Sequence, residues 1–206
     1  SHSGLEPPDA LQLMAERGME EAVQLHLDMH ARKKPAAFVR LGAVRFAAAG
    51  GQKRTLQILM AHAAVDTPTE LAHTQLDDRG IATNALHLAC YFGHMCMVQC
   101  ILRLNGCEAA INSHNGEDWA LTALHIAAVK GHEDIASCLL QSDSFTALNA
   151  VDWLEKAALH VACEMKFESI AVEIIRHPKF NKHNAVCSYG NTALMLAKKS
   201  NLRLVI

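Results

Sequence analysis

The chain has 206 residues, half of them hydrophobic, 5% aromatic and 19% charged, a composition that suits thin helical layers filled by Ala and Leu better than one large core. Its net charge of −2, with Lys and Arg scattered, excludes a basic stripe for nucleic acid or an anionic membrane surface. No apolar run approaches the roughly 18 residues of a membrane span, and the N-terminus lacks the layout of a secretory signal. Seven cysteines, an odd number, fit reduced thiols in a cytosolic or nuclear protein. The opening Ser-His-Ser-Gly, with no initiator Met, reads as a cloning remnant.

Pro7, Pro8 and Asp9 open the first helix, and Leu11 to Ala31 reads as a helix pair that caps the chain. Arg32 to Pro35 stops it, and a second pair spans about Phe38 to His62. From Ala63 to Ala82 runs an enlarged loop, in which Pro68 through His73 adds a helical turn. Asn84 to Leu104 is a third pair, followed by a link whose Asn115-Gly116 signals a two-residue hairpin turn. The fourth pair, Thr122 to Leu140, is the template: Leu124, Ile126 and Ala127 line one helix, and Ile135, Ala136, Leu139 and Leu140 line the next. Each helix is too short to stand alone in water, so stability must come from packing against copies of itself. Leu148 to Ala157 and Asn184 to Asn191 link the fourth, fifth and sixth units. The sixth stops at Ile206, an incomplete second helix from which the natural protein is expected to continue.

With Leu124 as ruler, the equivalent residues are Leu11, Val44, Leu86, Leu159 and Leu194, at spacings across the six of 33, 42, 38, 35 and 35. Seven residues after each comes the turn between helices: Gly18, Gly51, Gly93, Gly131, Lys166 and Asn201. Gly suits a left-handed turn residue and Asn tolerates one, whereas Lys166 there costs about 1 to 2 kcal/mol. Unit five is therefore expected to be the weak interior layer. The expected units are about 8–37, 38–80, 81–118, 119–153, 154–188 and 189–206, together one domain.

The segments NALHLACYFGH, TALHIAAVKGH and AALHVACEMKF resemble the ankyrin repeat, with its T-P-L-H-x-A and A-x-x-G-H signature. NAVDWLEKAALH and NAVCSYGNTAL follow its linker pattern, Cys187 standing in for Asp. The likeness is good over units two to six and weak over unit one. The motif's Pro is Ala at positions 43, 85, 123, 158 and 193, which keeps a good helix former. The resemblance implies an all-α solenoid of stacked helix-turn-helix units with β-hairpin fingers, a concave face made by fingers and first helices, and a role in binding other proteins. It also implies that His87, His125 and His160 tie neighbouring units together.

Two other groups of side chains could in principle carry chemistry. Zinc on His94, Cys96 and Cys100 lacks a C-x-x-C pair, and a nucleophile at Cys138 beside His132-Glu133-Asp134 lacks any catalytic motif. Cys90 with Cys163, and Cys100 with Cys138, occupy equivalent slots and read as small hydrophobes. No catalytic residue, metal or cofactor is assigned. The variable surface slots hold both Trp and both Tyr of the chain. Large rigid aromatics dominate interface hot spots. The expected partner-binding set is Tyr91, Phe92, Trp119, Leu121, Val129, Lys130, Trp153, Leu154, Lys156, Glu164, Met165 and Tyr189. The reading is a non-catalytic protein-interaction module. The alternative is a structural or regulatory flank of a larger intracellular protein whose catalytic, ubiquitin-ligase-adaptor or channel region lies beyond residue 206.

Overall fold

A computed structural model describes residues 10–30, 42–61, 75–76, 82–116 and 119–205. Helix pairs occupy Ala10–Glu16 with Glu20–His30, Ala43–Ala49 with Lys53–Ala61, Ala85–Phe92 with Met95–Leu102, Ala123–Lys130 with Glu133–Leu140, and Ala158–Glu164 with Glu168–Arg176. A sixth first helix, Ala193–Ser200, follows. First helices pack on first helices and second on second, forming two layers of one all-α solenoid. The Pro68–His73 turn lies outside the described residues, as does most of the enlarged loop.

The ruler residues fill the seams between units. Leu11, Val44, Leu86, Leu124 and Leu159 are no more than 2% exposed, whereas Leu194, in the last of the first helices, is 43% exposed. All six turn residues adopt the left-handed conformation, with φ from 59° at Asn201 to 79° at Gly93 and 67° at Lys166. The residue after each turn explains why Gly is needed at Gly131: a Cβ there would run into the Phe167 ring of the next unit.

Three first helices start with a side-chain cap, from Asn84, Thr122 and Thr192. Ala157 has no side-chain oxygen to do the same for unit five. The fingers are short. Gln75–Leu76 pairs antiparallel with Ala82–Thr83, and single bridges join Val151 to Ala157 and Val186 to Thr192. Asn115-Gly116 is not a two-residue hairpin tip, because the closing pair is Asn115 with Leu121, whose carbonyl accepts the Asn115 N–H at 2.8 Å. The link before it contains a short helix, Glu108–Ile111, that the sequence reading did not foresee. At the far edge of the stack Asn112 and Asn149 bind the backbone of the following unit, at Ser144 and Thr146 and at Lys179 and Asn181.

Candidate interaction surface

In units two to five the following finger is held from below by the residue after the ruler. In units three to five this is a buried histidine bonded at both nitrogens. The Asn84 N–H donates to His87 Nδ1 at 3.3 Å, and His87 Nε2 meets the Ser113 carbonyl at 3.2 Å. His125 takes the Thr122 N–H at 3.3 Å and reaches the Lys156 carbonyl at 2.9 Å. His160 takes the Ala157 N–H at 3.2 Å and reaches the Ala185 carbonyl at 2.9 Å. A backbone N–H pointing at Nδ1 requires that nitrogen to be unprotonated, so the ring's hydrogen is on Nε2, where it donates to the carbonyl. Burial pushes His87 and His125 down to about 4, against the pull of the carbonyls they bind, and lowers His160 in the same way. The expected tying role of these histidines is what the structure displays.

Unit two uses different chemistry in the same slot. Arg45 is buried there, and its Nη1 donates to the Thr83 carbonyl at 3.3 Å. The sequence reading missed Arg45 because it searched the slot for His. The signal was the position itself, one after Val44, where any donor long enough to reach the next finger serves.

In two of the fingers an acceptor side chain closes the loop. Asp152 Oδ1 accepts from Leu154 N at 2.9 Å and Lys156 N at 2.8 Å, and Asn115 Oδ1 accepts from Leu121 N at 2.7 Å. Neighbouring fingers touch through the backbone, Trp153 N–H to the Trp119 carbonyl at 3.3 Å and Ser188 N–H to the Leu154 carbonyl at 2.9 Å. The result carries Trp119 and Trp153 side by side, ring centroids 6.0 Å apart in an edge-to-face arrangement. Ala120 and Glu155 take left-handed backbone at the linker slot to do this, with φ of 49° and 58°.

The expected partner residues fall into three groups. Phe92, Trp119, Trp153, Met165 and Tyr189 are 44–65% exposed, with Val129 and Lys130 beside them also exposed. Tyr91, Leu121 and Leu154 are half-buried, and Tyr91 is covered by Lys130, whose Nζ sits 3.7 Å above its ring. Lys156 departs from the expectation. It is 9% exposed, its ammonium bound to Glu164 at 2.6 Å and lying 5.5 Å from the Tyr189 ring, so it braces the face from inside.

His94 Nε2 meets the Ala49 carbonyl at 2.8 Å and His132 Nε2 the Tyr91 carbonyl at 3.4 Å, both ties to the preceding unit. Among the described residues no three His, Cys, Asp or Glu side chains converge as metal ligands. None of the seven cysteines is in a disulfide, with Cys90, Cys107, Cys163 and Cys187 buried, Cys100 and Cys138 half-buried and Cys96 exposed. Burial raises the Cys138 thiol and pushes Cys163 up to about 12, the wrong direction for a nucleophile. Cys138 lines a groove between the second helices of units three and four with Met95, Arg103 and Asp134, away from the fingers. No helix among the described residues is long and apolar enough to cross a membrane.

No curated relative matches the chain. A family model described as ankyrin repeats in three copies matches residues 46–149 and again residues 86–184. With the stacked pairs, the left-handed turns and the histidine ties in view, the chain belongs to the ankyrin-repeat family, whose members are generally protein-interaction modules and typically non-catalytic.

Proposed function

We propose that this chain is a non-catalytic binding module that takes a partner polypeptide on the face built from the fingers and the first-helix ends of units three to six. The observation that carries the reading is the set of exposed apolar side chains Phe92, Trp119, Trp153, Met165 and Tyr189 on the fingers and first-helix ends, with Trp119 and Trp153 in ring contact. Exposed apolar residues scattered singly mean little, but a concentration of large ones on one kind of slot, rimmed by polar groups, is a feature of interaction sites. Trp119 and Trp153 brace one another, which lowers the entropy lost when a partner covers them. Lys130 and Glu164 stand at the rim, where charge governs specificity and rate of association more than affinity. Such a module works inside the cell, where its free thiols stay reduced.

The test separates this face from the enlarged loop 63–82, which could reach a partner independently. Affinity capture from cell extract is run with the native chain, with Trp153→Ala and with the loop deleted. The reading expects Trp153→Ala to weaken the captured partner by about 2 kcal/mol or more, roughly thirtyfold, with helical content unchanged. Loss of the partner on loop deletion alone contradicts it.

A further inference from the structure

We propose that His87, His125 and His160 are positioning residues of the finger face, latches that let go of the fingers when they take up a proton. The inference rests on the fingers being the docking face, and it concerns how that face is set. The carbonyls these rings hold belong to the very segments that carry the exposed aromatics. Ser113 leads into the finger of Trp119, Lys156 closes the finger of Trp153, and Ala185 opens the finger of Tyr189. Each ring is a donor at Nε2 and an acceptor at Nδ1. A proton on Nδ1 turns that acceptor into a second donor facing a backbone N–H, at Asn84, Thr122 or Ala157, although at His125 the Thr122 hydroxyl, 2.8 Å from the same nitrogen, can accept it and softens the effect. The contact becomes repulsive, and a buried imidazolium is relieved by moving the finger and admitting water.

The groups facing the latches do not cancel this. His87 faces His114, His125 faces Asp152, His114 and His160, and His160 faces Asp152 and Lys156, whose ammonium is already engaged by Glu164. Asp152 favours the protonated rings, yet burial outweighs it at both, and the rings are neutral in the folded state at neutral pH. The chain also carries its own control. Arg45 and Gln12 fill the same slot in units two and one without a proton to gain near neutrality: Arg45 donates to Thr83, and the Gln12 amide lies against Gly42 so closely that no Cβ would fit there. The latch that titrates is thus confined to the units whose fingers bear Trp119, Trp153 and Tyr189.

Trp119 and Trp153 are the chain's two tryptophans, so indole optics report on the fingers alone. The 206-residue protein carrying Asp152→Asn, which removes the one acid facing these rings and keeps an acceptor as Asn115 does, is titrated from neutral pH towards pH 4. The circular-dichroism couplet of the Trp119–Trp153 pair is followed beside the helical signal. The couplet is expected to disappear at a higher pH than the helices. In the further variant with His87→Gln and His125→Gln it should persist until the helices are lost. Simultaneous loss of couplet and helix, or an unchanged couplet titration in the glutamine variant, overturns the proposal. Should the glutamine variant not fold, imidazole 15N shifts of the native chain decide: protonation of His87 and His125 together with couplet loss supports the latch, and protonation only after helix loss refutes it. Either failure leaves the docking face itself standing, since that is judged by Trp153→Ala and partner capture.

Discussion

Units four and five make the same structure from different residues. Unit four turns at Gly131 with φ 72°, unit five at Lys166 with φ 67°. Unit four caps its first helix with Thr122, whereas unit five has Ala157 in that place. Both nonetheless set a buried histidine 2.9 Å from the next finger's carbonyl. The conformation is therefore imposed by the neighbours on either side, and the local residue decides only how much strain the unit carries. In a stack whose stability is close to a sum of unit and interface contributions, that strain stays local, and unit five is expected to be the softer of the two.

Acid acts on what the two units share. His87 and His125 have folded values lowered to about 4 from an ordinary 6.5, so the unfolded chain takes up protons that the folded chain refuses. Their contribution is full above about pH 6.5, is lost as pH falls towards about 4, and amounts to something on the order of 3 kcal/mol for each ring. Denaturant unfolding at pH 7 and pH 5 should show a large fall in midpoint, and an unchanged midpoint would mean that the rings are not buried and neutral.

Gly131→Ala makes unit four resemble unit five without the accommodations of unit five. The left-handed turn costs a non-glycine residue about 1 to 2 kcal/mol, and displacing the Phe167 ring adds a similar amount, for a loss of about 3 kcal/mol. Thermal or denaturant unfolding measures it. The reverse exchange, Lys166→Gly, should raise stability by about 1 kcal/mol, because it relieves the same strain at an exposed side chain. A fall in midpoint would show that the lysine stem stabilises unit five by a contact of its own. Thr122→Ala copies Ala157 into unit four and should cost about 1 kcal/mol, seen most clearly as faster amide exchange in the first turn of Ala123–Lys130.

The comparison also shows what a sequence reading can reach. Positions fixed by backbone geometry were legible: the turn slot marks Lys166 and Asn201 as left-handed because Gly fills it four times elsewhere. So was the exposure of Trp153 and Tyr189, which depends on slot alone. What depends on a partner side chain in another unit was not. Lys156 looks like a surface lysine until Glu164 and Tyr189 are placed around it, and Arg45 looks like a charged surface residue until Thr83 is. Asn115 was read by its dipeptide, Asn-Gly, as a turn tip, whereas its side chain acts as the acceptor that closes a longer finger. The short helix Glu108–Ile111 spans about one turn, too little for periodicity to register.

The two touching fingers that carry Trp119 and Trp153 are also the pair that the binding reading places at the centre of the docking face. Hydroxyl-radical footprinting of the chain with and without its captured partner tests that placement most directly. Oxidation of Phe92, Trp119, Trp153, Met165 and Tyr189 should fall together in the complex, while the exposed Met19 and Met29 of unit one react as before. Protection confined to unit one, to the groove of Met95 and Cys138, or to loop 63–82, with the two tryptophans still fully reactive, would contradict the account.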